Sequence, residues 1–175
     1  MRRGPSMDRR LMGMKSHAHG AWFEELIKAA CDFYRYTGEA DIEKTPEPMQ
    51  IIQSYGNGQF LAYFEGTAQA DFKGTLKGGR SVNFEAKHTD SDRMDQSRVT
   101  ETQVRKLDNT EKMGGLCFVL ASFGPARGFY RIPWEVWKDM KGNFGHKYFT
   151  PEEAKEFRIR TGGNGVLMFL NGLKW

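Results

Sequence analysis

The run Leu116 to Phe123, LCFVLASF, restricts the fold more than any other stretch of this chain. A strand solvated on one face alternates apolar and polar residues; a continuously apolar strand has to be covered on both. The rest of the chain must therefore supply helices to two faces of a sheet. Gly20 to Tyr36 is one such helix, with Phe23, Leu26, Ile27, Ala30 and Tyr34 at helical spacing and Gly38 as its stop. Arg98 to Lys112 is a second, with a thin apolar face of Val99, Val104 and Leu107. Trp134 to Met140 reads as a short helix that buries Trp134 and Trp137. Thr150-Pro151-Glu152-Glu153 reads as a capping box opening a helix to about Phe157. Strands are expected over Ala40 to Lys44, Phe60 to Phe64 and Gly128 to Ile132, with Val166 to Leu170 a final strand or core segment. The expected fold is α/β, a mixed central sheet flanked by helices.

The chemistry concentrates in Gln69 to Lys87, QADFKGTLKGGRSVNFEAK, which reads as a hairpin around Lys77-Gly78-Gly79. With that loop, Leu76 faces Arg80, Asp71 falls opposite Glu85, and Gln69 opposite Lys87. Val82, Phe84 and Ala86 take one face of the second strand, and Glu85 and Lys87 the other. Directly opposed side chains stand about 5 Å apart at Cβ. Two carboxylates that close repel unless one is protonated or a cation lies between them. A hard divalent ion takes such oxygen ligands, and a neighbouring Lys can stabilise a pentacovalent phosphate. Acid, then acid-x-Lys on the next strand, is a metal-nuclease pattern; a solvated polar strand face would use the same residue types.

The chain is long enough for one domain, and its 39% hydrophobic content includes no apolar run near membrane-spanning length. No apolar segment follows the basic N-terminus as in a signal peptide. Cys31 and Cys117 sit in apolar contexts, as reduced core residues of a cytosolic protein do. The net charge of +4 resides in residues 1–19, where Arg2, Arg3, Arg9, Arg10 and Lys15 oppose Asp8. This segment reads as a disordered basic tail, either phosphate-binding or a solubilising leader, with His17 and His19 as tail residues. Residues 20–175 form the single expected domain. His88 to Ser97 reads as a mobile polar loop. Glu24 and Glu25, early in the first helix, either suit its dipole or place one acid at the metal site.

Several segments together resemble the RecU-type Holliday junction resolvases, members of the PD-(D/E)XK nuclease superfamily. Gly20-x-x-Phe23-Glu24-Glu25-x-Ile27 resembles the family's opening helix. Pro46-Glu47-Pro48-Met49-Gln50-Ile51-Ile52 resembles the segment leading into a projecting stalk, and Ala62-Tyr63-Phe64 the strand returning from it. Asp71-Phe72-x-Gly74 and Phe84-Glu85-Ala86-Lys87 match two further motifs, and Gly114-Gly115 precedes the apolar strand as in the family. The chain departs at Gln69, where the family has Thr, and at Thr102, where it has His; residues 133–175 carry no resemblance.

The resemblance implies a restriction-endonuclease-like core with a small stalk over about 46–62. It implies Asp71 and Glu85 as metal ligands, Lys87 as the transition-state cation, Gln103 as a ligand through its side-chain oxygen, and Glu24 as an accessory acid. Gln69 stands at a further ligand position. The expected activity is a Mg²⁺-dependent (Mn²⁺ substituting) DNA endonuclease, a homodimer resolving four-way junctions by symmetric nicks in recombination and repair. It would act in the cytoplasm of a bacterium or of a phage's host, without an organic cofactor or membrane. Candidate DNA contacts are Arg2, Arg3, Arg9, Arg10, Lys44, Lys73, Arg80, Arg98 and Arg105. The alternatives are a PD-(D/E)XK nuclease with another DNA substrate, of restriction or repair type, and a junction-binding protein that cleaves nothing.

Overall fold

The computed structural model describes residues 7–46, 49–64, 69–124 and 126–173. Its centre is a six-stranded sheet. The strands are β1 (Ala40–Lys44), β4 (Phe72–Leu76), β5 (Ser81–His88), β7 (Leu116–Ser122), β8 (Phe129–Pro133) and β10 (Arg158–Ile159). They lie side by side in the order β1-β4-β5-β7-β8-β10. Every neighbouring pair is antiparallel except β5 with β7. A parallel neighbour needs a crossover, and helix α2 (Glu101–Lys112) supplies it. The sheet is mixed and flanked by helices, as the apolar β7 requires.

Alternation along β5 and β7 sorts the side chains between two cores. Val82, Phe84, Phe118 and Leu120 join the residues of helix α1 (Met7–Thr37), among them Phe23, Ile27, Ala30 and Tyr34. Cys117, Val119 and Ala121 face the opposite way, toward Leu107 of α2 and the buried Trp134, Trp137 and Met140 of α3 (Trp134–Lys138) and α4 (Met140–Phe144). On the α1 side Phe72, Phe84 and Phe118 form a stack across three strands, with centroids 5.0 and 4.7 Å apart and Phe169 against it. Burying one such ring contributes about 1.5–3 kcal/mol.

The hairpin register is the expected one: Phe72 pairs with Phe84, Gly74 with Val82 and Thr75 with Ser81, and Leu76 N–H donates to Arg80 O. Gly74 is required here, because a Cβ on it would lie 2.1 Å from Asp41 O on β1. The stalk-like excursion is a second hairpin, β2 (Met49–Gly56) and β3 (Gln59–Phe64), which form a separate two-stranded sheet among the described residues. Its Asn57-Gly58 turn has positive φ at both residues, the geometry of a tight hairpin turn. Every residue of β2 is exposed, including Ile51, Ile52 and Tyr55.

Three expectations need correction. The segment expected to be a disordered tail is, from Met7 on, the start of α1; Arg9 and Arg10 lie in its first turns, and Arg2 and Arg3 lie outside the described residues. The polar loop after β5 is braced, not free. Met94–Asp95 (β6) pairs with Tyr148–Phe149 (β9), and Arg127 donates to Asp90 O, Ser91 O and the Asp92 carboxylate. The Thr150–Glu153 capping bonds do form, yet only a turn and a 3-10 segment, Lys155–Phe157, follow. β10 must be extended by Arg158 to pair with β8, which leaves no length for a helix. Residues 166–170 are a core segment with a single bridge, Thr161 to Leu167.

Candidate active site

The site forms where β4 begins and β5 nears its end. One step beyond the Phe72–Phe84 pair, the Asp71 side chain turns onto β5. Its Oδ2 accepts from the Ala86 backbone N–H at 3.0 Å and from Lys87 Nζ at 3.1 Å. Lys87 Nζ also donates to Glu85 Oε2 at 2.7 Å, so one ammonium bridges both carboxylates. Glu85 and Lys87 share the α2 face because their spacing on the strand is two. That face places Glu85 fully out of solvent. Burial pushes its carboxyl well above the usual carboxylate range; the Lys87 ammonium opposes this and the Asp71 charge adds to it. Burial alone would lower the Lys87 pKa, but the two carboxylates outweigh it and raise the pKa.

Gln103 reaches the site from α2 by a local device. Thr100 is the N-cap of α2 and forms a capping box with Gln103. Gln103 Oε1 accepts from the Thr100 N–H and hydroxyl, which leaves its amide to donate to Glu85 Oε2 at 2.5 Å. The expected role as a ligand through the side-chain oxygen does not fit this pairing. That oxygen serves the cap, and a carboxylate accepts only from the NH₂ end. The Gln103 amide nitrogen is instead the atom that meets Glu85.

Gln69 also departs from expectation: it is exposed, and its Oε1 accepts from Lys73 rather than joining the two acids. Glu24 forms an ion pair with Lys44 at the end of β1. Lys44 pairs with Phe72 in the ladder, so Glu24 stands at the margin of the site through Lys44. Among the other candidate DNA contacts, Arg80 donates to Gly114 O and Arg98 to His88 O, both tying down backbone. Lys73 and Arg105 are exposed on the surface.

The donor set suits a hard divalent cation. Glu85 Oε1 is buried without a hydrogen-bond partner, a condition that costs about 1–3 kcal/mol. It lies on the same carboxylate as the Lys87 contact, beside Asp71. An oxygen-preferring ion needs one or two carboxylates and keeps its waters.

One group of residues has no signature in the sequence. His19 Nδ1, on α1, lies 2.9 Å from Asp90 Oδ1, and Nε2 of buried His88 approaches the same oxygen at 3.2 Å. Local pattern places only His88, at the end of β5. His19 and Asp90 are 71 residues apart.

The model of the family described as "RecU: Recombination protein U" matches residues 18–174. The chain belongs to the RecU family. Curated RecU relatives include the Holliday junction resolvase RecU of Streptococcus pneumoniae serotype 19F (strain G54). It is 27% identical over 164 residues, 89% of this chain and 82% of that one. The Holliday junction resolvase RecU of Bacillus pumilus (strain SAFR-032) is 31% identical over 160 residues, 85% of this chain and 76% of that one. Among solved structures the chain is similar to Archaeoglobus fulgidus Hjc, a Holliday junction resolvase, with a TM-score of 0.42 and 12% identity over 67% of this chain and 74% of that one. The RecU match also covers residues 133–174, where no motif of the resemblance falls.

Proposed function

We propose that this chain is a divalent-metal-dependent DNA endonuclease that resolves four-way junctions by paired nicks in recombination and repair. The observation that carries this reading is the bridged Asp71–Lys87–Glu85 group with its unpartnered buried oxygen. RecU membership and the printed names of the relatives supply the substrate class. Asp71 and Glu85 would hold a Mg²⁺ ion, for which Mn²⁺ substitutes; bound there, the ion polarises the phosphodiester and lowers the pKa of the attacking water.

The chain's own residues do the remaining work. Asp71 and Glu85 would hold the ion through their carboxylate oxygens. Lys87 balances their charge at rest and meets the extra negative charge of the transition state with its ammonium. Gln103 fixes the Glu85 rotamer, and the Ala86 N–H fixes that of Asp71. Glu24 is an accessory acid held back by Lys44.

The β2–β3 hairpin is the element we assign to the junction itself. Tyr55, Phe60 and Tyr63 are exposed on it, and aromatic faces stack on unpaired bases without regard to sequence. Phosphate contacts from exposed Lys73 and Arg105, with Arg2, Arg3, Arg9 and Arg10 before them, would set the position on the DNA. A homodimer would present two sites to two strands of like polarity, in the cytoplasm of a bacterium or of a phage's host. No helix among the described residues is long and apolar enough to cross a membrane.

The test is cleavage of a mobile four-way junction against linear duplex and single strand, with Mg²⁺ and with EDTA. Paired nicks on the junction alone, lost with EDTA and in Asp71→Asn, are the expected result. Metal-dependent cutting of every substrate would remove the junction claim, and tight binding without cutting in any metal would remove the nuclease.

A further inference from the structure

β5 presents chemistry on both faces. Glu85 and Lys87 face α2, so the alternation turns His88 the other way, toward α1. Phe84, two pairs before it on that face, packs in the α1 core. β5 and β7 run in parallel register, which sets His88 beside Ser122. On that side His88, Asp90 and His19 converge. Their ligand atoms all lie within 4.8 Å of one another. Asp90 Oδ1 is 2.9 Å from His19 Nδ1 and 3.2 Å from His88 Nε2. The two imidazoles meet edge to face at 5.6 Å.

We infer that His19, His88 and Asp90 form a second metal site, which takes a zinc-class transition ion and fastens α1 to the end of the catalytic strand. The ligand types separate it from the Asp71–Glu85 site. Two imidazole nitrogens and one carboxylate oxygen suit Zn²⁺ and its first-row neighbours, whereas Mg²⁺ prefers an all-oxygen set. In a tetrahedral site with bonds of about 2.0–2.2 Å, ligand atoms stand roughly 3.3 Å apart. The contacts at Asp90 need to open by only a few tenths of an ångström. Three protein ligands leave the fourth position to water, and His19 and Asp90 are partly open to solvent.

The surroundings are already arranged for a ligand. His88 Nδ1 lies 3.2 Å from the hydroxyl of fully buried Ser122, which also accepts from the Gly124 N–H. A proton held on Nδ1 by Ser122 turns the Nε2 lone pair toward the ion, as outer partners of ligating histidines do. Arg98 holds the His88 carbonyl, and Arg127 holds the Asp90 carbonyl. Two of the three ligands therefore sit on fixed backbone, and α1 brings the third.

The experiment uses the full chain, stripped with a chelator and titrated with Co²⁺ in the absence of DNA, with Zn²⁺ added in competition. We expect one Co²⁺ per chain with the strong visible absorption of a tetrahedral ion, displaced by Zn²⁺ and not by millimolar Mg²⁺. Asp71→Asn and Glu85→Gln should keep that spectrum. His19→Ala and Asp90→Ala, both partly solvent-exposed positions, should weaken Co²⁺ binding at least about 100-fold, and Ser122→Ala about 10-fold. Thermal unfolding should shift upward with Zn²⁺ in the wild type and not in His19→Ala. Absence of the absorption at micromolar Co²⁺ would overturn the inference and leave a hydrogen-bond network only. So would a spectrum that survives His19→Ala and Asp90→Ala or disappears with Asp71→Asn.

Discussion

The two hairpins of this molecule are built alike and used differently. β4–β5 and β2–β3 are both antiparallel pairs closed by short glycine-containing turns. In β4–β5 one face is sealed by α1 and its aromatic stack, and the other is partly covered by α2. Its side chains have one place to go, so the carboxylates meet in a single geometry. Among the described residues every position of β2 is exposed, and Phe60, Leu61 and Tyr63 of β3 stand in water with it. Two-stranded ribbons are marginal on their own, and this one stands because the tight turn and cross-strand pairs hold it. The difference teaches that covering, more than strand pairing, creates a precise site. A strand pair left bare keeps its surface for a partner.

Several substitutions would break or sharpen this contrast. In the covered hairpin, Asp71→Asn should lower junction cleavage roughly 10³-fold, about 4 kcal/mol of barrier, with an unchanged circular dichroism spectrum. Phe84→Ala should remove the centre of the stack and cost about 4 kcal/mol in urea unfolding. Gly74→Ala forces a Cβ against β1 and should cost about 3 kcal/mol by the same measurement. In the bare hairpin the effects move from folding to binding. Tyr55→Ala should weaken junction affinity about 10-fold in a gel-shift titration while leaving the unfolding midpoint in place. Ile52→Ser, the mildest, should change stability by less than about 0.5 kcal/mol, because that residue is largely exposed. A large loss of stability from Ile52→Ser would mean that the hairpin is covered after all.

What is legible in the sequence follows from the range of the interactions. The Leu76–Arg80 turn and the alternation through Phe84-Glu85-Ala86-Lys87 are local, and together they determine the register of the β4–β5 hairpin. β7 is legible because its composition states its own burial. Gln103, which the resemblance offers as a ligand, contacts Glu85 through its amide nitrogen. The Thr100-Glu101-Thr102-Gln103 capping box is visible in the sequence, and it commits the side-chain oxygen that a metal ligand would need. The early turns of α1 carry Met7, Leu11, Met14 and Ala18 at helical spacing, but Asp8, Arg9, Arg10 and Gly13 between them give the segment the composition of a polar tail. The Thr150 box forms its capping bonds without a helix behind it, because pairing of β10 with β8 overrides local preference. His19 and Asp90 meet only through the packing of α1 on the sheet, which no local pattern encodes.

The ammonium between Asp71 and Glu85 has a consequence for how the protein lives with changing ion supply. Had the strand carried a neutral residue at Lys87, the paired acids would draw stability from any divalent cation by mass action. The folded population would then rise and fall with cellular magnesium. Lys87 gives the pair a permanent internal counterion. The folded state then needs no ion to hold the two acids together, and a divalent cation bound there would add to its stability by mass action.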